Sequence, residues 1–105
     1  MDLMMDKFEF YGFEPDRDLK GAISRTLDMI LGSAPSDADA KARLIRSREG
    51  FSGFIRLSSQ AGTFMAEAVG KNPTETVSRL KERIFEQLSL WRRARINLHF
   101  PITRG

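Results

Sequence analysis

Cysteine is absent from this 105-residue chain, and histidine, tryptophan and tyrosine each occur once. Without thiols there is no disulfide framework, no thiolate nucleophile and no Cys-rich zinc site, and the composition suits a reducing compartment. His99, the sole histidine, has no Ser, Asp or Glu close by in sequence, so a histidine-dependent triad lacks support and a packed or solvated ring is the simpler reading. No uncharged stretch is long enough to span a bilayer, and Met1-Asp2-Leu3-Met4-Met5-Asp6 has neither the basic start nor the extended apolar run of a secretory leader. The expectation is a soluble, cytoplasmic protein with no membrane partner. Internal repeats and low-complexity segments are also missing.

What is present fits one domain over residues 1–105, with a core of about 6–95 and a short tail, 96–105; a chain this long buries one core but not two. Lys7-Phe8-Glu9-Phe10-Tyr11-Gly12-Phe13 alternates charged and aromatic positions before a glycine and predicts a first strand. After Glu14-Pro15, Asp16 is placed to cap a helix whose Leu19, Ala22, Ile23, Thr26, Leu27 and Ile30 form one apolar stripe. Gly32-Ser33-Ala34-Pro35-Ser36 closes it, with Gly32 expected as a left-handed C-cap. A second strand is expected from Asp39 to Arg48, stopping at Glu49-Gly50.

From Phe51 the pattern sharpens. Phe51, Gly53, Ile55 and Leu57 share one strand face, Phe64, Ala66 and Ala68 share one face of the next, and Gln60-Ala61-Gly62 joins them as a hairpin with Gly62 at positive φ. Asn72-Pro73 then opens a helix of about Thr74 to Arg93, with Thr76 in a first turn that can fray and Val77, Leu80, Ile84, Leu88 and Trp91 on one stripe. The order β-α-β-β-β-α predicts an α+β, two-layer domain: a four-stranded sheet with two helices on one face, which buries both stripes at once.

Candidate chemistry is sparse. Asp37/Asp39 reads as a loop pair and Glu82/Glu86 as an exposed i,i+4 row, neither of them a tuned acid–base pair. Gly70-Lys71 is followed by Asn72, and Met65 occupies the position five before Gly70, so phosphate-loop spacing fails. No enzymatic constellation, cofactor or metal is expected. Charge is the remaining lead: 17 Lys and Arg against 14 Asp and Glu give a net charge of +3, with acidic residues concentrated before Asp39. Basic residues cluster at Lys41, Arg43, Arg46, Arg48, at Arg79, Lys81, Arg83, and at Arg92, Arg93, Arg95. Arginine's planar fork suits phosphate, and Lys20 and Arg25 of the first helix could join the second to make a surface for structured RNA, which is held by shape and by phosphate and 2′-OH contacts. The same charges also fit solvated strand and helix faces, and Glu75, Glu82 and Glu86 dilute the field. Phe8, Phe10, Phe51, Phe64 and Phe85 fall at core-like spacing, which favours a packed core over a stacking platform for single strands.

Thr63-Phe64-Met65-Ala66-Glu67-Ala68-Val69-Gly70 and Arg83-Ile84-Phe85-Glu86-Gln87-Leu88 carry a family likeness over about Asp6 to Arg95. The chain resembles the short bacterial ribosome hibernation-promoting factors, also described as ribosome-associated inhibitor or sigma-54 modulation proteins. The first segment looks like that family's fourth strand, and the second lies where its last helix commonly has Lys-Leu-Glu-Arg-Gln-Leu/Ile. The resemblance implies a fold similar to double-stranded RNA-binding domains and a stress-response role. It also implies a non-enzymatic factor that lowers translation by occupying the tRNA/mRNA region of the small ribosomal subunit, with 16S rRNA as partner and no DNA. By that likeness Arg83, Arg92 and Arg93 match basic positions of the last helix, and Lys20 and Arg25 the exposed part of the first, while Arg79 and Lys81 extend the set. Arg43, Arg46 and Arg48 are possible contributors from the strand side. Glu86 and Ser89 stand where the family usually has basic residues, and Asn72-Pro73-Thr74 replaces Asp-Met-Tyr. Each lost cation removes a phosphate contact, so a second reading stands beside the first: a protein-interaction or homodimerisation module that keeps the fold but no longer binds ribosomes.

Overall fold

Three alternating runs and two three-and-four-spaced stripes assemble here as the pattern requires. The computed structural model describes residues 8–99; the side chains of 95–99, Arg95 and His99 among them, and the tail 100–105 lie outside the described residues. The order is β1 (Phe8–Tyr11), α1 (Arg17–Ser33), β2 (Asp39–Ser47), β3 (Gly50–Ser59), β4 (Gly62–Gly70) and α2 (Pro73–His99). The sheet follows chain order, β1-β2-β3-β4, with β1 parallel to β2 and the other pairs antiparallel. The right-handed crossover rule for parallel strands suits α1 as the β1–β2 connection.

One sheet face holds the core. Phe8, Ala40, Ala42, Leu44, Ile55, Leu57, Phe64, Ala66 and Ala68 alternate inward and meet Ile23, Leu27 and Ile30 of α1 and Val77, Leu80, Ile84 and Leu88 of α2. Phe8 and Phe10 stack with centroids 5.4 Å apart, and Trp91 meets Phe64 edge-on at 6.0 Å. The hairpin turns through Gln60 and Ala61 into Gly62, whose φ of +139° is the positive value expected of it. Asp37 ties that turn down by accepting from the Gln60 N–H at 2.8 Å, so this loop carboxylate has a structural task.

Helix ends confirm two expectations and correct three. Asp16 accepts from the Leu19 N–H at 2.8 Å, and Asn72 from the Glu75 N–H at 2.8 Å. Glu75 reaches back to the Lys71 N–H at 2.6 Å, a reciprocal cap one residue further out than a capping box. Gly32 is not a left-handed C-cap. It stays within α1, and the helix ends at an extended Ala34 (φ −93°, ψ 169°), because Pro35 disfavours helical geometry in the residue before it. Thr76 does not fray: it is fully buried, and its hydroxyl donates to the Asn72 carbonyl at 2.9 Å. It is seated against Gly70, where a Cβ would lie 2.8 Å from the Thr76 backbone nitrogen, so the missing side chain lets the first turn of α2 land on the sheet. Finally, α2 continues beyond Arg93 to His99 and takes in the first part of the expected tail, since neither Gly nor Pro interrupts the helix before Pro101.

Candidate nucleic-acid interface

The two helices run in parallel. Leu19, Ala22, Ile23 and Thr26 of α1 line a groove against Thr74, Val77, Ser78 and Lys81 of α2, and at the other end Arg92 reaches Ser33. With 3.6 residues per turn, this orientation sorts the α2 cations into three directions. Lys81 and Arg92 face α1. Arg79 and Arg83 lie on the opposite flank, against β4. Arg93 points outward, in line with Glu75, Glu82 and Glu86. On α1, Arg25 and Lys20 are both exposed, but Lys20 lies roughly a third of a turn round from the interhelical groove, on the flank away from α2. The cations are thus not gathered into one block; an acidic ridge divides them.

Several of these guanidinium groups are held by backbone carbonyls. Arg79 donates to the Val69 carbonyl at 2.7 Å and pairs with Glu75 at 3.3 Å, Arg83 donates to the Glu67 carbonyl at 3.0 Å, and Arg92 donates to the Ser33 carbonyl at 3.0 Å. Gln87 completes the β4 side by accepting from the Met65 N–H at 3.2 Å while its amide donates to the Met65 carbonyl. Positions 79, 83 and 87, one turn apart on α2, therefore match 69, 67 and 65, two residues apart on β4. The outward carbonyls of Met65, Glu67 and Val69 and the Met65 N–H on this edge strand are occupied by helix side chains, which guards the edge against pairing with another chain. Arginine has five donors, so each of these groups keeps N–H bonds for a phosphate after one, or two in Arg79, are spent on positioning.

Sequence reasoning missed this ladder because spacing on α2 reveals a flank, whereas only β4 alongside reveals what the flank touches. Glu75 has a displaced pKa: the bond from the Lys71 N–H first, with Arg79 and Lys71 as charges, holds it below the usual carboxylate range, while burial acts in the opposite direction. Arg43 lies on the open face of the sheet, Arg46 has the opposite parity on β2, and Arg48 sits in the β2–β3 turn. Among the described residues no group of three or more His, Cys, Asp or Glu is placed to hold a metal, and no helix is long and apolar enough to cross a membrane.

This architecture defines a class: a two-layer β-α-β-β-β-α domain with parallel helices on one face of a mixed four-stranded sheet. Within that class, a ribosomal subunit interface protein from Coxiella burnetii superposes with a TM-score of 0.71 at 16% identity, over 82% of this chain and 94% of its own. The Protein Y N-terminal domain from Thermus thermophilus superposes with a TM-score of 0.61 at 12% identity, over 77% of this chain and 91% of its own. The chain therefore has the ribosomal interface protein fold, as the family resemblance implied. No family model matches the sequence, and no curated protein matches it.

Proposed function

We propose that this protein is a non-enzymatic, ribosome-associated factor that acts by occupancy, covering the tRNA/mRNA region of the small subunit and so lowering translation. The likeness of nearly the whole described chain to a ribosomal subunit interface protein carries this reading. Arginines fixed on rigid elements support it, because phosphate contacts position a protein on RNA without any reacting group. The proposed contacts to 16S rRNA are Arg79 and Arg83 on the β4 flank, Lys81 and Arg92 along the interhelical groove, and Arg93 and Arg25 outward. The acidic ridge of Glu82 and Glu86 makes these separate tracks, each able to meet a different stretch of phosphates. Lys20 remains outside this surface. Such a role belongs to the bacterial cytoplasm and to conditions of translational arrest.

Small-subunit co-sedimentation over a salt series tests it. Arg83→Ala with Arg92→Ala and Arg93→Ala should weaken association by roughly tenfold or more and flatten its salt dependence, as released counterions are fewer. Arg25→Glu with Arg93→Glu, at outward positions, should do likewise with thermal unfolding unchanged. Co-sedimentation indifferent to both sets sinks the proposal.

A further inference from the structure

The open face of the sheet, opposite the helices, is a grid set by strand register. Tyr11, Ile45, Ser52 and Val69 form one row, Glu9, Arg43, Phe54 and Glu67 the next, and Lys41, Arg56 and Met65 a third. Lys41 and Arg56 stand directly opposite each other on β2 and β3, both exposed. Like charges in that relation destabilise a sheet. Asp39, the next residue of β2 on this face, and Glu9 and Glu67 on the outer strands border the three cations, so Lys41, Arg43 and Arg56 form a contiguous positive centre with carboxylates at its margins. Beside the pair, the Arg43 guanidinium lies over the Phe54 ring, 5.4 Å from its centroid. Phe54 is half-buried and outside the core cluster, and it lines a shallow depression with Arg43, Ile45, Glu67, Val69 and Arg83. Lys41 and Arg43 are two residues apart on one strand, roughly 6.7 Å.

We infer that this open face binds single-stranded nucleic acid, with Phe54 and the stacked Arg43 as a platform for a base and Lys41, Arg43 and Arg56 as phosphate contacts. An anionic ligand offsets the Lys41–Arg56 repulsion, and flat π surfaces use an aromatic ring placed beside cations. A nucleic-acid single strand combines both, and base–aromatic stacking beside a cationic track is the general mode of such recognition. Duplex would not serve, since its bases are already stacked on one another. Glu9 and Glu67 bound the site on the β1 and β4 sides. Glu9 is engaged by the Tyr11 hydroxyl, which donates to it at 3.0 Å. A second copy of this chain is the competing occupant, since Tyr11, Met65 and Val69 are exposed on the same face at 46%, 50% and 66%. It would, however, bring a second Lys41–Arg56 pair along with its own carboxylates, and so offsets the repulsion less than a ligand that carries negative charge alone.

The test is fluorescence anisotropy with labelled oligo-U and oligo-A RNA of about eight nucleotides, paired with sedimentation velocity. Lys41→Gln with Arg43→Gln and Arg56→Gln should weaken binding at least tenfold and reduce the slope of log K against log salt by about 2, at about 0.7 per phosphate contact. Phe54→Leu should weaken binding at least fivefold with the salt slope unchanged; if that variant does not fold, the Gln substitutions decide alone. A wild-type protein that binds no strand at low salt, or Gln variants that bind as wild type, overturns the inference. So does a wild-type dimer that these substitutions convert to monomer without altering RNA binding, which would assign the face to a second copy. The probe is an isolated strand, so the outcome is independent of the ribosome reading: a protein that ignores ribosomes but loses oligonucleotide binding on these substitutions still bears it out.

Discussion

Arg92, on α2, donates from Nη2 to the backbone carbonyl of Ser33, the last residue of α1, at 3.0 Å. The last carbonyls of a helix have no partner within it, and α1 has no basic residue in its final turn. The parallel packing of the helices lets the second one supply the cation that the first lacks, at the end where the helix dipole favours positive charge.

Arg92→Ala should therefore lower global stability by about 1 kcal/mol, read as a lower urea midpoint at constant m, and speed amide exchange at Ala34, whose N–H bonds the Leu31 carbonyl. Arg92→Lys should recover part of the loss. An unchanged midpoint would show that the contact contributes nothing to folding.

Gln87→Ala should expose the Met65 amide, which donates to Gln87, and raise its exchange rate by roughly fivefold or more. Combined with Arg83→Ala it should open the β4 edge to intermolecular pairing, seen as light scattering during refolding. If exchange at Met65 stays at its wild-type rate, the ladder is not what protects this edge.

Gly70→Ala places a Cβ 2.5 Å from the Thr76 hydroxyl oxygen and 2.8 Å from its backbone nitrogen. Since backbone must move, the cost should be about 1–3 kcal/mol, measured by thermal or urea unfolding. Gly32→Ala, with nothing within 4 Å of the new atom and no positive φ, should be neutral or slightly stabilising. Equal effects of the two substitutions would contradict the packing described for α2.

Glu75 has a folded pKa below its ordinary value of 4.5. Between the folded and unfolded values the unfolded chain binds more protons, so its contribution to stability is present above about pH 4.5 and is lost as pH falls through the depressed folded value. Glu75→Gln should flatten the acid limb of the stability–pH curve and leave its shape near neutrality unchanged. Parallel acid limbs for the two proteins would remove this assignment.

Much of the fold was legible in residue order because its signals are local. The period of two over Phe51 to Leu57, the three-and-four spacing of Val77 to Trp91, and the capping oxygens of Asp16 and Asn72 each act within a few residues. The misreadings came where a distant or following group outvoted a local one: Pro35 displaced Gly32 as the terminator of α1, and Gly70 drew Thr76 from a fraying turn into the core. The candidate site was less legible. Arg79, Lys81 and Arg83, and Arg92 and Arg93, read in sequence as two clusters of one surface but diverge round α2, while Lys41, Arg43 and Arg56, divided between two strands, converge on one face.

Alternation and helical periodicity by themselves determined the six elements, their order, and which side of each turns inward, because burying apolar surface selects one phase of a repeat. Tertiary structure alone decided the company each cation keeps, since strand register and helix packing join residues that no spacing relates. The α2 arginines acquired carbonyl partners on β4 and α1, and the strand cations acquired a neighbouring aromatic ring and one another.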